Sequence, residues 1–467
     1  MEIIRLIAGF LVTFAVGWNI VFWLFKRDRS FAIPERIAFS YMLGLGVITL
    51  EMFFYSLMGV PFSIKWVLLP WIFILPINMY FYHRTAPSGK EPAGSKKTVF
   101  DYFLLGGIIF QSLYAFFKAI IRPEDSFDSI GNFAFKAKMF FVEGRVPYDL
   151  FMNKAMDIQH VDYPLFVPLS ETWMSMFIGS WNDLLVKALF PMFLVALLIV
   201  FYYALRRVIG ARWALISTFF LATIPHFLNY ATIGYADFAL IMFYTVSFLY
   251  LFLWIAYRRE NKYLIAAALF SVLSLWAKNE GALLSLVNIG LLVLFAWLER
   301  REMAKNEWFG IAYFVGIICA LETAWFIFIH RMGLSNEFIN MDTLKLSVFI
   351  NNLDRIPLVL YDCQKHIFGP KKWNISLLVF TAGFILYFKR SFSGYFKYIT
   401  LSILLAFLGY SAFYLITPLE IRYHLQTAGS RTLLHFLPIV VFWIGYLGKE
   451  LELDAESNIH RPGRRHK

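Results

Sequence analysis

The sequence predicts an all-α polytopic membrane protein with about thirteen transmembrane helices and two long loops on one side. Three observations predict it. Of 467 residues, 60% are hydrophobic and only 16% are charged, where an ordinary soluble chain carries roughly 25% charged residues. Fifty-two Phe and fourteen Trp are too many for one aqueous core, but they suit a bundle solvated by lipid. The apolar residues also fall into runs of about 20, the length that crosses a hydrocarbon layer.

These runs lie near 3–25, 37–60, 64–83, 99–121, 184–205, 213–229, 236–257, 263–277, 281–298, 308–330, 373–388, 398–417 and 432–448. The first is too long for the apolar region of a signal peptide and has no small-residue cleavage site, so it is expected to stay attached as a span. Pro225 breaks the 213–229 run, and the 263–277 run is short. Three N-terminal spans (1–83) precede a flexible linker, 84–98, rich in Gly, Pro, Ser and Lys. A ten-span unit (99–448) and a basic tail (449–467) follow.

Orientation comes from the basic residues. One alternating set of short loops, with the tail, holds 25 of the 43 Lys and Arg. An excess of this kind in short loops marks the cytoplasmic side, which places the N-terminus outside and the C-terminus inside. The net charge of +12 is therefore spread between spans rather than gathered into a nucleic-acid patch. Cys319 and Cys363 are the only cysteines and imply no disulfide framework. There is no Walker A motif, HExxH or paired CxxC, so neither a nucleotide-driven pump nor a zinc protease is indicated.

In this orientation the unusual segments are all external: the long loops 122–183 and 331–372, and short turns at 234–237, 278–281 and 418–431. Within 341–368 apolar positions recur at helical spacing, interrupted at Pro357, as in short helices lying on a membrane interface. PEDSFDSIGNFAFKAK (123–138) concentrates carboxylates and then Lys136 and Lys138 at the end of a span. Glu124 and Asp125 read as the solvated end of that span. Asp128, set among Phe127, Ile130, Phe133 and Phe135, suits a general base.

HVDYP (160–164) holds His160 and Asp162 rigidly before a helix start. In GYAD (234–237), Asp237 and Tyr235 open a span, where capping the helix dipole already accounts for the acid. In KNEG (278–281), Lys278 beside Glu280 is a cation facing external carboxylates, suited to a phosphate. Arg431 opens the final span against the helix dipole, which makes it a candidate ligand group. Glu51 and Glu322 lie inside spans, where hydrogen bonding within the bundle accounts for them.

These pieces, in this order, resemble the GT-C superfamily of lipid-carrier-dependent glycosyltransferases, which includes the protein O-mannosyltransferases and the bacterial aminoarabinose transferase. FDSIGNFAFKAK is similar to the aromatic–Asp–small–Ile and Lys-Ala motif of its prokaryotic branch. HVDYP, GYAD, KNEG and the Arg431–Pro438 segment match in register over roughly 100–448. The resemblance implies a GT-C-like bundle that transfers a sugar, with inversion, from a polyprenyl-phosphate donor to an acceptor hydroxyl outside the membrane. The acceptor is a glycan, lipid or protein; membrane lipids are the other partners, and nucleic acid is not one.

It implies Asp128 as general base and Asp162 as a second acid that positions the acceptor or a metal. Lys278 and Arg431 face the carrier phosphate, with His160, Tyr163, Lys136, Tyr235, Asp237 and Glu280 around the substrate. A divalent cation (Mg or Mn), if used, falls to Asp128 and Asp162. Two residues depart from the pattern: Tyr163 stands where some relatives have lysine, and Val161 where proline is common. Two other readings compete: a transporter or flippase for an anionic lipid or sugar, and a non-catalytic glycan-assembly subunit.

Overall fold

The computed structural model of the protein describes residues 1–86, 97–149, 160–257, 259–334 and 343–459. The architecture is an all-α bundle. Its first four long helices are α1 (Glu2–Phe25), α2 (Ile33–Leu57), α3 (Ile64–Arg84) and α4 (Val99–Ile120). Two shorter helices, α5 (Ala134–Glu143) and α6 (Phe166–Ile178), lie within the first long loop. After them come α7 (Leu189–Ala222), α8 (Pro225–Tyr230), α9 (Ala236–Ala256), α10 (Asn261–Ala277), α11 (Gly281–Glu299) and α12 (Lys305–Arg331). The last are α13 (Ile356–Ile367), α14 (Ser376–Leu386), α15 (Phe396–Ile416) and α16 (Ser430–Ile459). Among the described residues, ten helices are long and apolar enough to cross a membrane, and α10 and α14 are shorter apolar helices. The protein is a multi-pass membrane protein.

The long α7 contains two of the expected runs. Gly210 interrupts it with φ 81° and ψ 167°, a left-handed conformation that glycine adopts without a Cβ clash. A Cβ placed on Gly445 would lie 2.1 Å from Ser217 Oγ and 3.2 Å from Ile209 Cδ1. In a straight helix residues eight apart are separated by about 12 Å, so the chain doubles back at Gly210. With α7 read as two limbs, the thirteen expected runs each have a helix. The 331–372 loop carries the expected short helices, with α13 starting at Ile356 and Pro357 in its first turn. Residues 335–342 and most of the 84–98 linker fall outside the described residues.

Sequence decides which helix is central. α9 is apolar on every side, so no face suits water, and every residue from Ala236 to Ile255 is buried. α3 has only Val67 and Asn78 fully buried, and most of its other side chains face outward, toward lipid. Glycines bring α1 and α2 into backbone contact: a Cβ on Gly17 would lie 1.7 Å from the Ser40 carbonyl oxygen, and one on Gly44 2.1 Å from that of Thr13. Trp173 Nε1 donates to Thr13 Oγ1 (3.0 Å) and ties α6 to α1.

At one end of the bundle Glu35, fully buried, receives both terminal nitrogens of Arg207 at 2.6 Å and the Tyr250 hydroxyl at 2.5 Å. This fork joins α2, α7 and α9, and removing one partner leaves a buried charge unpaired. Arg207→Met is therefore expected to lower stability by about 3–5 kcal/mol, whereas pairing it with Glu35→Leu recovers most of the loss. Thermal unfolding of the two variants in one detergent checks this; equal losses would contradict it.

Candidate active site

Segments distant in sequence meet at the opposite end of the bundle. Tyr235 precedes α9 in extended conformation, so Asp237 falls in the first turn, where unpaired N–H groups favour an anion. Lys278, also extended, follows the last residue of α10, and α11 starts three residues later. At Gly281 a Cβ would lie 2.3 Å from the Ser274 carbonyl oxygen, so this tight return requires glycine. Two π-helical turns, Ser129–Phe133 and Leu425–Gly429, stand next to Asp128 and just before Arg431. Such turns are rare and occur often at functional sites.

Asp237 is the centre of the cluster. Its fully buried carboxylate receives Lys278 Nζ at 3.0 Å, Arg431 Nε at 3.2 Å and Nη2 at 2.8 Å, and His435 Nε2 at 2.9 Å. Because Asp237 only accepts, Nε2 of His435 carries the proton, and Nδ1 accepts from the Tyr410 hydroxyl at 2.7 Å. Arg431 turns its remaining nitrogen, Nη1, to Asp128 Oδ2 at 2.7 Å. The Tyr235 ring lies 5.0 Å from that guanidinium, and its hydroxyl accepts the Asp128 N–H at 3.2 Å. Burial, with the Asp128 charge adding to it, pushes the Tyr235 phenol up.

Lys278 also pairs with Glu280 at 2.7 Å. Burial alone would raise Glu280, but the Lys278 ammonium outweighs it and holds the carboxyl below its ordinary range. Asn279 Nδ2 donates to Asp162 Oδ2 at 2.7 Å. A second group stands beside these. Lys136 Nζ donates to the His160 carbonyl at 2.7 Å, and the His160 ring stacks on Tyr163 with centroids 4.5 Å apart. His160 has φ 49°, uncommon for a residue with a side chain. Burial and the Glu280 charge push the Tyr163 phenol well up.

All ten candidate residues thus lie at one end. Asp128, Arg431, Asp237, Lys278, Glu280 and Tyr235 form one chain of contacts, and Asp162 joins through Asn279. Lys136 serves a backbone carbonyl. The immediate neighbours of Asp128 do not enclose it: Phe127 is 75% exposed and Ile130 52%, so Arg431 dominates its surroundings. Asp128 and Asp162 come from separate segments and have different partners, Arg431 for the first and Asn279 for the second. No group of three or more His, Cys, Asp or Glu forms a metal-ligand set among the described residues.

Sequence reasoning assigned no role to His435, four residues after Arg431 and so on the same helix face. It also missed a buried group behind Asp128. Glu124, read as solvated, is instead half-buried, accepts from Ser129 Oγ and packs against Gly234, where a Cβ would lie 2.6 Å from its carboxylate. Lys187 Nζ donates to the Arg122 and Pro123 carbonyls at 3.1 and 3.0 Å. Glu171, fully buried in α6, has no hydrogen-bond partner among the described residues on either carboxylate oxygen. Its position in an apolar helix was the available signal.

No protein-family model and no curated protein sequence matches the chain. Solved structures do. ArnT from Cupriavidus metallidurans in the apo state aligns with a TM-score of 0.50 and 13% identity, over 78% of this chain and 64% of that one. The chain has the ArnT fold. The structure of ArnT bound to undecaprenyl phosphate aligns with a TM-score of 0.49 and 15% identity, over the same shares. The chain therefore spans under two thirds of the length of ArnT. The all-α bundle of many spans expected from the apolar runs is the architecture found, and at these identities the likeness to ArnT is one of fold.

Glu171 provides a pH test. Burial, with Glu124 adding to it, lifts its carboxyl well above the usual 4.5, and Lys187 offsets only part. Such a group stays protonated in the folded state after the unfolded chain ionises. Its stabilisation is full below about 4.5 and is lost as pH rises toward the folded value. Glu171→Gln, neutral throughout, should gain in unfolding temperature relative to the parent protein between about pH 5 and 8. A difference that does not change with pH would contradict this.

Proposed function

We propose that the protein is a membrane glycosyltransferase that moves a sugar from a polyprenyl-phosphate donor to an acceptor hydroxyl, with inversion, on the extracytoplasmic side. One observation carries the reading: a carboxylate suited to act as base, Asp128, touches a guanidinium, Arg431, that is locked with Lys278 on a buried Asp237. Base and phosphate-binding cations thus share one end of a lipid-embedded bundle. ArnT, whose fold the chain shares, has been crystallised with undecaprenyl phosphate.

In the proposed reaction the donor phosphate binds Arg431 and Lys278 and competes with Asp128 for the guanidinium. Asp128, released, takes the proton of the acceptor hydroxyl. The oxygen attacks the anomeric carbon as its bond to the phosphate oxygen breaks, and the electron pair leaves on the phosphate. Arg431 and Lys278 stabilise that developing charge. A single displacement inverts the anomeric centre and needs no enzyme nucleophile. A divalent cation, held by Asp128 and Asp162, would add charge neutralisation at the phosphate.

The basic short loops support an extracytoplasmic site, where a flipped lipid-linked sugar is the available donor. A transporter would place its ionisable groups near the bilayer midplane, at broken helices; here the cluster lies at the ends of α9, α10 and α16. Purified protein in nanodiscs, given a synthetic polyprenyl-phosphate sugar, tests the reading. Asp128→Asn should slow transfer by about 10²–10⁴-fold, the usual contribution of a general base, while donor binding persists. Undiminished transfer would remove Asp128 from this role.

A further inference from the structure

Between α10 and α12 lies a cavity of about 330 Å³. Val272, Leu275 and Trp276 of α10 face Trp325, Phe326 and Ile329 of α12 across it, one helical stripe against another. Asp162 and Asn279 form part of its lining and connect it to the Lys278 segment. Phe326 is 58% exposed, so the cavity adjoins the flank of the bundle, where lipid lies.

Two polar groups in these apolar walls lack partners. Glu322, expected to be satisfied within the bundle, receives no hydrogen bond or ion pair from any described residue, although it lines the cavity. The buried Trp325 Nε1–H has no acceptor among the described residues. Glu51, the other acid in a span, is held by the Tyr55 hydroxyl (2.8 Å) and Trp71 Nε1 (3.1 Å). An unpaired polar group in an apolar setting is destabilising, and a carboxyl within a span marks a functional site by default.

We infer that this cavity receives the acceptor, and that the acceptor is a lipid with hydrogen-bonding groups, such as hydroxyl, ester or amide, within its apolar part. The inference rests on the transferase reading above. A polyprenyl tail is hydrocarbon and would leave both Glu322 and Trp325 unsatisfied, and the donor phosphate belongs with Arg431 and Lys278. A lipid hydroxyl or amide N–H meets the Glu322 carboxylate, and a carbonyl meets the Trp325 N–H. The chain enters from the membrane past Phe326, and the head group lies at Asp162 and Asn279, next to the cation cluster.

Photo-crosslinking of the full-length protein in nanodiscs tests this, with a photoactivatable diacylglycerol as lipid probe and a photoactivatable polyprenyl phosphate as comparator. The diacylglycerol should label 272–282 and 322–329, and the polyprenyl phosphate should not. Glu322→Leu should lower diacylglycerol labelling by about 3–10-fold, the worth of one or two hydrogen bonds, while Glu322→Gln keeps it within about twofold. Cavity labelling by polyprenyl phosphate, none by diacylglycerol, or indifference to Glu322→Leu would each overturn the inference. Labelling needs no turnover, so these outcomes are separate from the Asp128→Asn transfer assay, on which the transferase reading stands or falls.

Discussion

The arrangement at the site depends on one buried carboxylate. Asp237 has no access to solvent, and a carboxylate removed from water is tolerable only when it is paired and hydrogen-bonded on its remaining lone pairs. Lys278, Arg431 and His435 supply those partners from α10 and α16. Their approach fixes the ends of three helices and aims the last guanidinium nitrogen at Asp128. The same central helix is held near its other end by Tyr250, which donates to the Glu35–Arg207 fork. α9 is thus fastened by polar contacts at both ends and by apolar packing between them.

The cluster is nearly balanced: three carboxylates, Asp237, Glu280 and Asp128, face two cations and an imidazole. Of the carboxylates Asp128 is set apart, since it holds only one arm of Arg431 and is 21% exposed. In the proposed reaction an incoming phosphate meets a cation whose far side is already anchored and whose near side carries a displaceable partner. In that reaction this couples donor binding to release of the base. The preorganised cations then need little rearrangement as charge develops on the leaving oxygen.

Much of the bundle was legible in the sequence because span length and apolar continuity are local properties. Even the doubled α7 appeared as two runs, since Pro225 and the basic 206–212 segment mark their ends. The motifs also marked segments that the fold brings together at one end of the bundle, as polar residues between apolar spans stand out. What each residue does there was less legible. Asp237 at a helix start reads as an ordinary cap, and only the approach of α16, nearly two hundred residues away, makes it the hub. Glu124 reads as solvated because its partners, Ser129 and the Gly234 turn, come together only in three dimensions. Glu322 reads as satisfied because a cavity leaves no trace in one sequence.

The central claim is that Asp237 holds Lys278 and Arg431 ready for a phosphate. Binding of a synthetic polyprenyl phosphate to the purified protein in nanodiscs, by titration of wild type, Lys278→Met and Arg431→Met, measures this most directly. The account predicts saturable binding to the wild type, weakened about 10–100-fold by either substitution, the worth of a charged hydrogen bond. Equal affinity in all three proteins would contradict it.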